Sequence, residues 1–147
     1  MSQNKLYMVC GVPASGKTWV CEQLGESVEY VSHDNYIKLD ANYVGALCSA
    51  IEFGDVVTEC PFGETRMRNR LIGVGLDVVP VFVVENLYVL RKRTRARTGN
   101  TLLPKNVESR AMSIRDRAIE WGCFHGTSAQ VLEHLKGEVS RGDNSTD

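Results

Sequence analysis

The first residues with chemical potential lie near the N-terminus, in the segment KLYMVCGVPASGKTW. Four residues separate Gly11 from Gly16, which is followed by Lys17 and Thr18, the spacing of a phosphate-binding loop. In such a loop backbone N–H groups converge on phosphate oxygens, the lysine reaches the β- and γ-phosphates, and the hydroxyl ligates Mg²⁺. We therefore predict binding of ATP and Mg²⁺. The candidate residues are Gly11, Pro13, Ala14, Ser15, Gly16, Lys17, Thr18 and Trp19, with Thr18 on the metal.

The flanking sequence favours this interpretation. Residues 6–10 form a short apolar run bounded by a polar residue and a glycine, which predicts a buried parallel strand. Residues 18–24 are compatible with a helix, and Gly25 stands where a C-terminal cap is expected. Strand, loop and helix in this order are the context that a phosphate-binding loop requires.

Two acidic residues follow predicted strands. Asp34 comes after residues 28–32, and Glu59 lies at the end of residues 55–60, where open parallel sheets bind ligands. Asp34 can accept the proton of an attacking hydroxyl, and Glu59 can hold a Mg²⁺-bound water. The alternatives are that Asp34 only caps a short helix and that Glu59 is only a surface charge.

A third candidate group is the basic run RKRTRAR at residues 91–97, which precedes a glycine-containing loop. Such a segment can close on bound phosphates and place guanidinium charge against the group being transferred. Arg93 and Arg97 are our candidates from this run. The alternative is that the run is a solvated helix face.

The remaining pattern alternates helices and strands, which predicts a parallel sheet covered on both faces. The expected fold class is α/β, a P-loop NTPase sandwich with four or five mainly parallel strands. Pro80 lacks an N–H donor and predicts an edge position for the strand at 77–84. We expect one domain over residues 1–136 and a polar, frayed tail over 137–147. Further helices are expected at 40–53, 64–72, 87–97 and 107–121.

Composition argues against a membrane or secreted protein. No apolar run approaches the roughly 18 residues needed to span a bilayer, and the N-terminus lacks a signal-peptide pattern. The chain holds five cysteines without paired spacing, which is typical of reduced thiols in a cytoplasmic protein. We therefore expect a cytoplasmic protein with no membrane partner.

Charge is unevenly distributed along the chain. Residues 66–117 hold twelve Lys/Arg against four Asp/Glu, although the whole chain has a net charge of −1. A basic half on a nearly neutral protein suggests an anionic ligand, either nucleotide phosphates or a nucleic acid backbone. The same excess would also result from solvated helix faces.

The motifs together resemble a known family. The series GVPASGKTW, VSHDNY, VVTECPF, a basic helix and a TGNTLLP loop resembles the 5′-kinase domain of phage polynucleotide kinases. Their wider group of small P-loop kinases includes phage kinases that act on 5-hydroxymethyluracil in DNA. The resemblance implies that Asp34 is the general base and that Arg97 is the lid arginine contacting the transferred phosphate. If the protein is phage-encoded, its expected location is the host cytoplasm.

The predicted function is ATP-dependent transfer of the γ-phosphate to a hydroxyl on DNA or a polynucleotide. That hydroxyl would be a terminal 5′-OH or the hydroxymethyl group of a modified pyrimidine. One alternative is a kinase for a small molecule such as a nucleoside, a nucleotide or a sugar nucleotide. Another is an ATPase or nucleotide-binding switch that transfers phosphate only to water.

Overall fold

A parallel sheet forms the centre of the molecule in the computed structural model, which describes residues 3–36, 41–60, 63–99 and 105–144. Its strands are β1 (Lys5–Cys10), β2 (Glu29–Tyr30), β3 (Val56–Cys60), β4 (Asp77–Val83) and β5 (His125–Gly126). The helices are α1 (Lys17–Leu24), α2 (Ala41–Ile51), α3 (Glu64–Gly73), α4 (Leu87–Thr98), α5 (Lys105–Trp121) and α6 (Ser128–Asn144). A 3₁₀ turn spans His33–Asn35.

The strand order is β2-β3-β1-β4-β5, and every neighbouring pair is parallel. β1 is central, and Cys10 at its end lies in register with Cys60 of β3 and Phe82 of β4. The carboxyl ends of these three strands therefore meet at one edge of the sheet, where the phosphate loop begins. The predicted α/β sandwich is confirmed, with five strands among the described residues.

Both faces of the sheet are buried, as expected for parallel strands covered by crossover helices. Leu6 and Met8 of β1 belong to a core cluster that includes buried side chains from α2, α3, α4 and α5. Tyr7 and Val9, which point to the opposite face, belong to a second cluster with α1 and α6. The phosphate loop and α1 are thus anchored on a strand that is packed from both sides.

The edge position predicted for β4 is wrong, because β5 pairs with its C-terminal end. The N–H groups of Phe82 and Val84 donate to the carbonyls of Phe124 and Gly126, at 3.0 and 2.7 Å. Pro80 lies two residues earlier, so its nitrogen is on the same side of the strand but before the paired stretch begins. The missing N–H of Pro80 therefore breaks no hydrogen bond between β4 and β5 among the described residues.

The frayed tail predicted from residue 137 is not observed as far as Asn144, because α6 continues to that residue. Val131, Leu135 and Val139 recur every four residues and are 0, 0 and 5 % exposed in the second core cluster. This apolar stripe packs α6 against the core as far as Val139. The sequence prediction gave more weight to the polar residues of 137–147 than to Val139, which continues the stripe.

The structure follows the other predicted elements closely, with two exceptions. β2 is limited to two residues and leads directly into the turn at His33–Asn35. Most of the loop predicted between α4 and α5 lies outside the described residues, and Lys105 already belongs to α5.

Candidate active site

The phosphate loop connects β1 to α1 through a backbone that only small residues adopt easily. Ala14 and Gly16 have positive φ values of 69° and 103°, and Ser15 N–H donates to the Val12 carbonyl at 3.1 Å. A Cβ atom at Gly16 would lie 2.9 Å from the Cβ of Ser128. Glycine at position 16 is therefore required both by the turn and by the close approach of the N-terminus of α6.

Lys17 points back along the loop. Its Nζ donates to the Gly11 carbonyl at 2.9 Å. Burial lowers the pKa of Lys17, and the negative charges of the Glu59 and Asp34 carboxylates partly oppose that shift. A buried ammonium attracts an anion strongly because few waters compensate its charge. This environment suits a phosphate group.

Asp34 lies across a cavity of about 940 Å³ that Lys17 also lines. Ser32, which follows β2, is the N-cap of the 3₁₀ turn, and its Oγ accepts from Asp34 N–H at 3.2 Å. The alternative that Asp34 is only a cap is therefore wrong. Its side chain is exposed toward solvent, which leaves the carboxylate accessible to a molecule in the cavity.

Glu59 is 1 % exposed, so the alternative of a surface charge is also wrong. One carboxylate oxygen accepts from the N–H groups of His33 and Asp34 and from Ser32 Oγ, with the last two at 3.3 and 3.2 Å. The other oxygen accepts from the Tyr30 hydroxyl. That Glu59 holds a metal-bound water stays a prediction, and its oxygens accept hydrogen bonds from the segment that carries Asp34.

Arg93 reaches the loop from α4. Its guanidinium donates to the carbonyls of Ser15 and Ala14 at 2.7 and 3.3 Å and lies 3.7 Å from the Glu85 carboxylate. The same Glu85 oxygen accepts from Ser128 N–H and Oγ at 2.9 and 3.1 Å. Arg93 thus ties α4, the phosphate loop, the end of β4 and the start of α6 together.

Glu85 and Ser128 were missed by the sequence analysis. Glu85 follows β4 as Asp34 follows β2, so the signal that identified Asp34 was also present there. Ser128 had no comparable signal, because β5 and the start of α6 were not located in the sequence.

The cavity brings together most of the predicted site residues. Arg97 lines it from the exposed end of α4, whereas Gly11 and Ser15 do not line it. Gly11 contributes its carbonyl to Lys17, and Ser15 is fully buried, with no hydrogen-bond partner for its Oγ among the described residues. The lining residues are Pro13, Ala14, Gly16, Lys17, Thr18, Trp19, Asp34, Glu59, Arg93, Ala96, Arg97 and Ser128.

The candidate metal ligand in the cavity is the hydroxyl of Thr18. Across the described residues, no group of three or more His, Cys, Asp or Glu side chains could hold a metal ion. Mg²⁺ in kinases is typically held by one or two protein ligands, with phosphate oxygens and waters completing the octahedron. Thr18 lines the cavity beside Lys17 and can provide a hydroxyl ligand.

Part of the basic half is occupied by contacts within the protein. Arg91 pairs with Glu108 at 2.7 Å, and Arg110 and Arg117 approach Glu64 at 3.3 and 3.9 Å. In addition, the guanidinium groups of Arg68 and Arg117 lie over the Trp121 ring, at 4.5 and 5.6 Å from its centroid. These arginines have partners without a nucleic acid.

No protein family model and no curated protein matches this chain. Similar solved structures include a gluconokinase from Sinorhizobium meliloti 1021, with a TM-score of 0.65, 19 % identity and coverage of 96 % of this chain and 94 % of that chain. A shikimate kinase from Acinetobacter baumannii in complex with shikimate has a TM-score of 0.59 and 16 % identity, with coverage of 95 % of this chain and 94 % of that chain. A tunicamycin resistance protein from Deinococcus radiodurans has a TM-score of 0.57 and 17 % identity, with coverage of 93 % of this chain and 96 % of that chain. The chain has the P-loop kinase fold.

Within the described part of the chain, no helix combines the length and apolar character needed to cross a membrane.

Proposed function

We propose that the protein is an ATP-dependent kinase that transfers the γ-phosphate to a hydroxyl group of a small molecule. The observation that carries this proposal is that Lys17 and Asp34 line the same cavity. A cation for the phosphate and a carboxylate for the attacking hydroxyl are the two charges that phosphoryl transfer needs.

The phosphate loop and four side chains of the cavity have roles in this reaction. The loop amides and Lys17 bind the β- and γ-phosphates, and Asp34 accepts the acceptor hydroxyl's proton as the oxygen attacks. Arg97 lines the cavity from α4 and would stabilise the negative charge of the group in transfer. Mg²⁺, held by Thr18 and phosphate oxygens, would neutralise charge on the same oxygens.

The sequence predicts DNA or a polynucleotide as the acceptor, but two observations favour a small molecule. Gluconokinase and shikimate kinase are among the proteins with this fold. In addition, several arginines of the basic half contact acidic or aromatic side chains of the protein itself. The excess of positive charge is therefore weaker evidence for a polynucleotide than the sequence suggested. DNA remains the second candidate because exposed Arg97 extends the basic surface to the cavity.

A labelling panel tests the proposal. The protein is incubated with γ-³²P-ATP, Mg²⁺ and separate pools of sugar acids, sugars, nucleosides, nucleotides, sugar nucleotides, 5′-hydroxyl oligonucleotides and DNA containing 5-hydroxymethyluracil. Lys17→Ala, purified in parallel, controls for contaminating kinases because it removes the phosphate-binding cation. Label on a small molecule supports the proposal, and label on an oligonucleotide replaces it with the DNA kinase. Label in free phosphate alone, at a rate that no acceptor changes, contradicts any kinase.

A further inference from the structure

We propose that Glu59 is a positioning residue, which holds the Asp34 turn in place through hydrogen bonds to the backbone and side chains of that segment. This inference rests on the proposed function, in which Asp34 is the base. It concerns how a buried side chain of β3 fixes the carboxylate that performs the reaction.

Both carboxylate oxygens of Glu59 accept hydrogen bonds from one segment. Tyr30 hydroxyl, Ser32 Oγ and the N–H groups of His33 and Asp34 all donate to it. An ionised carboxylate offers about four acceptor positions. Three of the four donors share one oxygen, which has no position left, and the Tyr30 hydroxyl takes one of the two positions on the other oxygen.

The segment that Glu59 holds has little structure of its own. β2 contributes only two paired residues, and the following 3₁₀ turn has only three. A 3₁₀ turn of this length gains little from its own hydrogen bonds. Fixing Asp34 against the cavity therefore needs an anchor outside the segment.

β3 provides that anchor. All five of its residues are buried, and it pairs with both β1 and β2. Glu59 is in register with Val9, directly before the phosphate loop. The same strand thus sets the distance between the loop that binds phosphate and the turn that carries Asp34. An error of about 1 Å in such a distance can cost about a hundredfold in rate.

Replacement of Glu59 by glutamine removes only its negative charge, whereas replacement by alanine also removes its hydrogen-bond acceptors. The glutamine oxygen still accepts from the two backbone N–H groups, and its amide can donate to the Tyr30 hydroxyl, but the negative charge is lost. We expect Glu59→Gln to lower kcat by only about threefold, and Glu59→Ala to lower it by about a hundredfold. KM for ATP and the Mg²⁺ concentration for half-maximal rate should not change. Exposed Glu29 on β2 provides the matched control, Glu29→Ala.

The decisive comparison combines Glu59→Gln or Glu59→Ala with Asp34→Asn in one protein and measures kcat of the double variants. If Glu59 acts through Asp34, Glu59→Ala causes no further loss of kcat when the base is already absent. The proposal is overturned if Glu59→Gln is as damaging as Glu59→Ala and raises the half-maximal Mg²⁺ concentration. It is also overturned if the loss persists unchanged in the Asp34→Asn background.

Hydrogen exchange gives a readout that does not depend on activity or on a stable alanine variant. The amides of His33 and Asp34 should exchange faster in Glu59→Ala, and in Glu59→Gln to a smaller extent, while the amides of β1 keep their protection. Unchanged exchange at both amides overturns the proposal. If the wild-type protein phosphorylates no acceptor, the proposed function fails, but the exchange result still decides whether Glu59 holds the turn.

Discussion

Lys17 illustrates, at the residue scale, how a functional group can lower stability. Because burial disfavours its charged form and lowers its pKa, the unfolded chain binds the lysine proton more tightly than the folded protein does. The ammonium is therefore a cost to the fold at neutral pH; the cost begins to fall as pH rises through the lowered pKa and is gone above the ordinary pKa of lysine.

We expect Lys17→Met to raise the free energy of unfolding at pH 7 by about 1 kcal/mol while abolishing nucleotide binding. Thermal or urea denaturation measures the first effect, and calorimetric titration with an ATP analogue measures the second. Lys136→Met, at an exposed position of α6, should change neither. A Lys17→Met protein less stable than wild type would contradict this account of the buried ammonium.

Trp19 provides an optical report on the cavity, since its side chain lines the cavity and is 46 % exposed. The chain has two tryptophans, so Trp121→Phe isolates the signal of Trp19. An ATP analogue with Mg²⁺ should quench this emission, and tripolyphosphate should quench it less because it has no base or ribose to contact the indole. An unchanged emission in Trp121→Phe, with a response in Trp19→Phe, would place the nucleotide elsewhere.

At the scale of elements, the side chain of Arg93 connects α4 to the phosphate loop. Arg93 donates to two loop carbonyls, whereas Arg95, two residues later, is exposed and does not line the cavity. Arg93→Gln should lower kcat/KM for ATP by about a hundredfold, because it loosens the loop and removes a cation beside the phosphates. Steady-state kinetics compares it with Arg95→Gln, which should stay close to wild type. Equal effects of the two substitutions would contradict a specific role for Arg93.

The elements also show what the sequence could predict. The phosphate loop, β1 and α1 follow from a local motif with local flanks, and the structure shows these elements within a residue of their expected bounds. β5 could not be predicted because two residues of His and Gly carry no strand pattern, and their pairing with β4 depends on tertiary contacts. The role of Arg93 at the loop carbonyls could not be predicted either, since position 93 and position 14 are brought together only by the fold.

At the scale of the whole molecule, the number of basic residues in the sequence is larger than the number that is available to bind a ligand. The basic half of the chain is real, but ion pairs with Glu64 and Glu108 and stacking on Trp121 use part of it. Charge counts along a sequence do not include such partners.

We therefore expect only non-specific affinity for DNA, with dissociation constants of about 10⁻⁴ to 10⁻⁶ M at physiological salt. Fluorescence anisotropy with a labelled 20-mer between 50 and 200 mM salt measures this, and excess oligonucleotide should not inhibit phosphorylation of a small acceptor. Submicromolar binding that competes with the acceptor would restore DNA as the substrate.

The most direct test of the central claim is Asp34→Asn. With the acceptor that the labelling panel identifies, we expect phosphate transfer to fall by about 10²- to 10⁴-fold, because the base is lost. Affinity for the ATP analogue should stay within about twofold, since the phosphate loop does not need this carboxylate to bind nucleotide. Asp116→Asn, which makes the same charge change at an exposed position on α5, is the matched control. Transfer at the wild-type rate in Asp34→Asn would contradict the account.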